Sequence, residues 1–492
     1  MIRYMSTRGS DVKVGAAEGV IKGIAEDKGL YVPDSVPAIP FSLEELGDMK
    51  YEAVAKAVIG AFFTDYTDSE IADCVEGAYG EGFESEDIAP LVKVGNTSIL
   101  ELYHGKTAAF KDMALSILPY LLTTAVKKQN EDKKIAILTA TSGDTGKAAL
   151  EGFADVEGTE IIVFYPKSGV SVVQERQMLT QKGSNTHVYG IDGNFDDAQT
   201  GVKKIFNDKD FSVQLAERGY RLSSANSINI GRLIPQIAYY VWSYGQMIKQ
   251  GSIKAGNKIN IVVPTGNFGN ILAAYYAGSM GIPVNKFICA SNRNKVLTDF
   301  IRTGIYDADR EFFVTNSPSM DILISSNLER LLFVLSGSDG NEINKLMAEL
   351  ESNKKYVVND KVKAGLSDFY SGFCDEKDTL SEIHKVWKEK QYLMDTHTAV
   401  AYKVYTDYVA ESKDDTPTVI VSTASAYKFA DSCIEALGIT EDLNGFECID
   451  RLNEITGVAI PAGLKELDKK DIKHDSVVSK EHLEEAVLEA LK

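Results

Sequence analysis

Two hydrophobic rhythms divide this chain. From about Leu91 onward, short apolar, β-branched runs alternate with longer helical stretches. The runs are Ile135 to Ala140, Ile161 to Tyr165, Thr186 to Ile191, Ile259 to Val263, Lys286 to Ala290 and Thr418 to Ser422. Continuous apolar strands separated by helices mark parallel sheets covered on both faces, so the pattern predicts an α/β fold. In such sheets ligands bind at the carboxyl ends of strands, in the turns that lead into helices. The first ninety residues differ. They read as short helices, one of them over Leu43 to Ala61, interrupted by the turn-rich segment EDKGLYVPDSVPAIPF. Residues 1–90 are therefore expected to form a small N-terminal domain, and residues 91–492 the main body. Gly337 to Lys390 is charged and helical with few strand signals, a helical excursion on the main body. The final KEHLEEAVLEALK reads as an amphipathic helix. Both are expected to be scaffolding.

Length and composition narrow the function classes. A chain of 492 residues is too long for one core, and units of about 150 residues predict two to four packed bodies. Apolar residues make up 44% and charged residues 25%, the balance of an ordinary globular protein. With 52 Lys and Arg against 71 Asp and Glu, the formal charge is −19. An acidic surface repels phosphate backbones and anionic lipid, which argues against nucleic acid and membrane as partners. An anionic ligand must then be held by a local pocket. The five cysteines are scattered without a C-x-x-C pair, so neither a zinc site nor a disulfide framework is expected, and no metal is assigned. The opening MIRYMSTRGS has no signal-peptide core, and the most apolar stretch, Ala114 to Val126, contains Pro119 and is too short to span a bilayer. A cytoplasmic location is expected, as a monomer or homodimer.

Two strand-to-helix turns could carry chemistry. In ILTATSGDTGKAALEGFA, Ser142, Gly143, Asp144, Thr145 and Gly146 separate a strand from an alanine-rich helix. In INIVVPTGNFGNILAAYYAG, Gly266, Asn267, Phe268, Gly269 and Asn270 do the same. Glycine lets backbone N–H groups converge on an anion, and the helix dipole favours negative charge there. Each turn alone is equally well explained as a capped helix start, with Ser142 or Asn270 as cap. Neither has P-loop spacing, and no G-x-G-x-x-G follows a strand, which disfavours ATP and NAD. A third element is HGKTAAFKDMALSILPYLL, where Lys111 precedes a helix apolar enough to be buried. Most lysines are solvated surface charges, but a desolvated one has a depressed pKa and becomes a nucleophilic amine. A fourth is SSANSINIGRLIPQ, with Asn226, Ser227 and Arg232. It is either a polar loop capping a helix or a second anion site built on a guanidinium.

Together these elements resemble the threonine synthase family, pyridoxal-phosphate enzymes of the tryptophan-synthase-β (type II) fold. The resemblance runs in order through YMSTRG at Tyr4, GLYVP at Gly29, HGKTAAFKD, TSGDTG, DGNFDDAQTGVK and NSIN with Arg232. It continues through VPTGNFGNILAAYYA, MDILISSNLERLLF, DTHTAVAY and VSTASAYKF. It implies two parallel-sheet lobes covered by helices, the smaller at about 130–215. It also implies pyridoxal 5'-phosphate as cofactor, with Lys111 as the Schiff-base and catalytic lysine. Gly266, Asn267, Phe268, Gly269 and Asn270 would cradle the cofactor phosphate, Thr423 would face the pyridine nitrogen, and Asp144 would lie near the ring. Ser142 and Thr145 would meet the substrate carboxylate, and Asn226, Ser227 and Arg232 would hold the substrate's phosphate. The implied activity is a carbon–oxygen lyase acting on a phosphate ester, turning O-phospho-L-homoserine and water into L-threonine and phosphate.

Two positions depart from the family pattern. Lys106 and Ala426 each stand where proline is common, and neither removes a functional group named above. Other readings are a dehydratase or cysteine synthase of the same fold, or a silent homologue that only binds the cofactor or an amino acid. The N-terminal domain and the NSIN-to-Arg232 element favour a phosphorylated substrate over the former. Lys111, both anion turns and Thr423 speak against the latter.

Overall fold

The computed structural model describes residues 1–167 and 170–492. Its larger sheet has six strands in the order Phe369–Phe373, Val284–Ser291, Ile259–Pro264, Thr418–Ser422, Thr97–Glu101 and Leu91–Val94. All neighbours run parallel except the last pair, an antiparallel hairpin at one edge. Every residue of Ile259–Pro264 and Thr418–Ser422 is buried, as continuous apolar strands covered by helices on both faces must be. The smaller sheet has five parallel strands, ordered Val477–Ser479, Thr186–Asp192, Thr159–Pro166, Lys134–Ala140 and Tyr220–Ser223.

The hydrophobic rhythm located three inner strands of each sheet; it left out the inner strand Thr97–Glu101, and the edges differ from it. Tyr220–Ser223 lies beyond the 130–215 span expected for the smaller lobe, and that lobe also takes its outermost strand, Val477–Ser479, from the C-terminal region. The following helix Leu483–Ala490 packs on the helix Phe195–Asn207, and its Leu483 and Val487 join Leu138, Ile162 and Phe164 of the same lobe in one core cluster. Burying side chains of that size contributes about 1.5–3 kcal/mol each. The stretch from Gly337 to Lys390 is not purely helical. Lys355–Val357 pairs antiparallel with Ile305–Asp307, and Phe369–Phe373 forms the outer edge of the larger sheet. Edge strands this short, FYSGF among them, lack the apolar run that announces a central strand.

At the N-terminus, Tyr4–Ser6 and Tyr31–Pro33 make a two-stranded antiparallel ribbon beside the helices Ala16–Lys22, Tyr51–Phe62 and Asp68–Tyr79. The helix expected over Leu43 to Ala61 is divided. A 3-10 turn, Glu45–Asp48, ends at Met49, and Met49 and Lys50 are extended before the α-helix begins. Tyr4, Val20 and Val58 share one core cluster with Leu118, Ile230 and Ile234, so these first elements pack directly on the long helix Ile230–Lys249. Among the described residues no helix is long and apolar enough to cross a membrane.

Candidate active site

Turns at the carboxyl ends of parallel strands from both lobes converge on Lys111. Lys111 lies just beyond the strand Thr97–Glu101, and its backbone is pinned beside the end of Thr418–Ser422. The Phe110 N–H donates to the Thr423 carbonyl at 2.8 Å, and the Ser425 N–H to the Ala108 carbonyl at 3.0 Å. Thr423 is thereby one peptide away from Lys111. Its hydroxyl makes no hydrogen bond among the described residues. Ala108 holds a left-handed backbone, φ 57°, which costs a non-glycine residue about 1 kcal/mol and is tolerated where surroundings over-determine it.

Lys111 is buried, 9% exposed, with its Nζ 3.2 Å from Asp144 Oδ2 and 3.4 Å from Ser319 Oγ. Burial lowers the pKa of its ammonium. The Asp144 carboxylate opposes that shift, while Lys428 and Arg232 add to it as like charges. Asp144 is buried as well. Burial alone would raise its pKa, but the ammonium groups of Lys428 and Lys111 outweigh this and hold the carboxyl well below its usual range. Lys428 Nζ lies 2.7 Å from Asp144 Oδ1, and the Gln174 amide donates to the same oxygen at 2.8 Å.

Asp144 begins the helix Asp144–Phe153. Ser142 does not cap it; that residue is exposed, and the cap position is Gly143. Gly143 has φ 131°, a conformation only glycine adopts without strain, and a Cβ there would strike the Gln174 side chain at 2.5 Å. The capping role falls instead to Thr141, whose hydroxyl accepts from the N–H groups of Gly143 at 3.0 Å and Gly146 at 2.8 Å.

The second turn leads into the helix Gly269–Met280. Its cap is Phe268, left-handed at φ 63°, rather than Asn270. The Asn270 carbonyl oxygen accepts from the hydroxyls of Tyr239, at 2.7 Å, and Tyr240, while its buried amide nitrogen has no partner. Among the described residues the N–H groups of Phe268, Gly269 and Asn270 have no acceptor. A Cβ at Gly266 would lie 2.7 Å from the Ser319 carbonyl, so only glycine lets this turn approach the segment that touches Lys111. Ser319 is held from the other side by His397, whose Nε2 accepts the Ser319 N–H at 3.1 Å while Nδ1 lies 2.7 Å from Asp395 Oδ2. That pairing fixes the imidazole with its proton on Nδ1.

The fourth element adjoins the second turn. The Asn327 amide donates to the Asn267 carbonyl at 3.0 Å and to Ser227 Oγ at 3.2 Å. Arg330, fully buried, ties Asn327 to the carbonyls of Tyr31, at 2.9 Å, and Ile228. Arg232 is 3% exposed and, among the described residues, faces no carboxylate. One Nη donates to the Ala225 carbonyl at 3.0 Å, its Nε is buried without an acceptor, and burial lowers its pKa to about 10. Asn226 is half-buried. The side chains of Ser142, Thr145 and Asn226 make no hydrogen bond to the Lys111 cluster.

The structure thus brings together Lys111, Asp144, Thr423, the 266–270 turn, Ser227 and Arg232, and adds Lys428, Gln174, Ser319, His397 and Asn327. The added groups carried faint signals: Lys428 is the only charge in VSTASAYKF, and Asp395 and His397 open a helix in DTHTAVAY. Lys106, the departure from the family pattern, is largely exposed and reaches Glu151 at 3.8 Å, away from Lys111. No group of metal-ligating side chains occurs among the described residues.

These residues fit pyridoxal phosphate. A helix N-terminus with unaccepted N–H groups and an orphaned buried amide suits its phosphate, and a desolvated amine suits its aldehyde. The fold and the groups gathered at Lys111 define a pyridoxal-phosphate-dependent enzyme. The family model described as pyridoxal-phosphate dependent enzyme matches residues 89–424, between models for the threonine synthase N terminus at 3–79 and C-terminal region at 398–487. Threonine synthase of Saccharomyces cerevisiae is 35% identical, covering 88% of this chain and 89% of its own. Human threonine synthase-like 1 is 40% identical over 89% of this chain, which spans only 60% of that protein's length. The crystal structure of pyridoxal-phosphate-bound threonine synthase from Brucella melitensis superposes with a TM-score of 0.87 at 34% identity, covering all of both chains. The chain belongs to the threonine synthase family.

Proposed function

We propose that this protein is a threonine synthase, converting O-phospho-L-homoserine and water to L-threonine and phosphate, the last step of threonine biosynthesis. The observation that carries the reading is that two separate places for a phosphate lie near Lys111. One is the 266–270 turn, with its unaccepted N–H groups. The other is Arg232, a buried guanidinium with no counter-ion among the described residues. An uncompensated buried charge is costly unless a ligand neutralises it. A cofactor phosphate accounts for one place and a substrate phosphate for the other.

In this reading Lys111 holds the cofactor through Nζ, while Gly266, Asn267, Phe268, Gly269 and Asn270 hold its phosphate. Bound there, pyridoxal phosphate supplies the electron sink for carbanionic charge beside the substrate amine. The Thr423 hydroxyl, neutral and without a hydrogen-bond partner among the described residues, faces the ring nitrogen. Once free, the Lys111 amine takes a proton from the substrate α-carbon and returns protons along the chain; burial lowers its pKa, which favours the unprotonated form that this role needs. Ser142 and Thr145 meet the substrate carboxylate. Asn226, Ser227 and Arg232 grip the γ-phosphate, and Arg232 stabilises the charge that gathers on it as the C–O bond breaks. Water then adds at the β-carbon. We further propose a cytoplasmic location and a small-molecule substrate without nucleic-acid or membrane partners. The test is direct: the purified protein with pyridoxal phosphate should release phosphate and threonine from O-phospho-L-homoserine and neither from homoserine. Equal turnover of an unphosphorylated amino acid would refute it.

A further inference from the structure

Asp144 sits between two ammonium groups. Lys111 Nζ lies 3.2 Å from Oδ2, and Lys428 Nζ 2.7 Å from Oδ1. Asp144 belongs to the smaller lobe. Lys428 belongs to the larger, in the short 3-10 turn Ala426–Phe429 that follows the strand Thr418–Ser422. The Lys428 side chain is fully shielded from solvent, and its other contact is the Thr107 carbonyl at 3.0 Å. The remaining groups at Asp144 are neutral: the Gln174 amide at 2.8 Å and the Ser319 hydroxyl at 3.5 Å. Arg232 acts on Lys111 only through space, and His397 stands behind Ser319.

Two cations on one carboxylate are more than a resting ion pair needs. Under the proposed function, however, Lys111 cannot stay with Asp144. Its nitrogen is engaged by the cofactor and later carries protons to and from the substrate. A buried carboxylate left without a cation takes up a proton or breaks its contacts. We propose that Lys428 is a positioning residue, the standing counter-ion of Asp144, which keeps that carboxylate charged and the 142–146 turn docked on the larger lobe whenever Lys111 leaves it. This rests on the proposed function in one respect, the assignment of Lys111 as the cofactor lysine. The polar contacts of Lys428 are with Asp144 and the Thr107 carbonyl, so its assigned role is exercised through Asp144.

Infrared difference spectroscopy tests it, because a protonated carboxylic acid has a C=O stretch that a carboxylate lacks. Near neutral pH the band is expected in cofactor-loaded Lys428→Met and absent from loaded wild type. It should also be absent from cofactor-free Lys428→Met, where the Lys111 ammonium still faces Asp144. Adding Asp144→Asn should abolish it, and Lys428→Arg, which keeps the charge, should not show it. In turnover, Lys428→Met should lose tenfold or more in kcat with a smaller change in KM, and Lys428→Arg should recover part of that loss. Should Lys428→Met not accumulate folded, Lys428→Gln carries the same expectation. No band in the loaded variant, or a band with and without cofactor alike, overturns the inference. Borohydride fixation in the same samples separates the two claims. Cofactor fixed on another lysine defeats the proposed function; cofactor on Lys111 without the band defeats only the role of Lys428.

Discussion

Replacing Arg232 by leucine is the sharpest perturbation of the proposed substrate site. The guanidinium is 3% exposed, donates one hydrogen bond to the Ala225 carbonyl and leaves Nε without an acceptor. Among the described residues its removal therefore breaks one hydrogen bond but no ion pair, and most of the lost polar interaction energy should fall on the ligand. A hydrogen bond to a charged group contributes about 1.5–3 kcal/mol, a ten- to hundredfold loss in kcat/KM at about 1.4 kcal/mol per factor of ten. The loss should grow if charge accumulates on the departing phosphate, because the interaction then strengthens in the transition state. Arg232→Lys should be intermediate, keeping the charge without the planar fork. Arg232→Leu also removes a positive charge that depresses the Lys111 pKa, so the pH dependence of kcat should move to higher pH. The assay is phosphate release across pH, with cofactor content read by absorbance. Cofactor retention should survive, because the cofactor phosphate is assigned to the 266–270 turn. Loss of cofactor in Arg232→Leu, or undiminished turnover, would show that the two anion places have been exchanged or misassigned.

Other expectations follow from neighbouring groups. Borohydride reduction should fix pyridoxal phosphate on the peptide containing Lys111, and Lys111→Ala should lose several orders of magnitude in turnover while retaining some cofactor through the 266–270 turn; label on a different lysine refutes the assignment. Thr423→Asp should protonate the ring nitrogen and raise abortive elimination relative to threonine formation, so an unchanged product ratio and cofactor spectrum would mean that Thr423 does not face the ring. Asp112 is buried, and burial raises its pKa from 3.8 to about 6 although the Thr107 N–H and hydroxyl stabilise the charge. Between those values the folded state binds more protons than the unfolded, so this carboxyl makes stability fall as pH rises, by about 3 kcal/mol at most. Urea unfolding at several pH values should show that contribution removed in Asp112→Asn; an identical pH slope for variant and wild type would contradict it.

What could be read from the sequence follows from the range of each signal. A strand-to-helix turn is local, so Asp144 and the 266–270 turn announced themselves through glycine spacing between an apolar run and a helix. Lys111 was singled out by the apolar helix after it. The cap assignments failed because Thr141 and Phe268, not Ser142 and Asn270, occupy the geometry that the turns impose. The support network was silent for a different reason. Ser319 meets His397 across 78 positions, and Lys428 meets Thr107 across 321. Contacts of that separation leave no periodicity behind. The edge strands Phe369–Phe373 and Tyr220–Ser223 escaped similarly, since their place is decided by the neighbour they pair with and not by their own composition.

The strand Val477–Ser479 has a consequence for how the molecule is made. Its partner, Thr186–Asp192, leaves the ribosome far earlier, and residues 193–476 intervene before the pairing can form. Until then the smaller lobe presents an unpaired strand and the apolar surface that Leu483, Val487 and Leu491 later cover. Such an edge invites association with other nascent chains. Closing a loop of that length is slow but adds little to its entropic cost. Synthesis of this protein therefore passes through a long interval in which the lobe that carries Asp144 is nearly assembled yet adhesive, and chaperone demand should peak there rather than at the first domain to emerge.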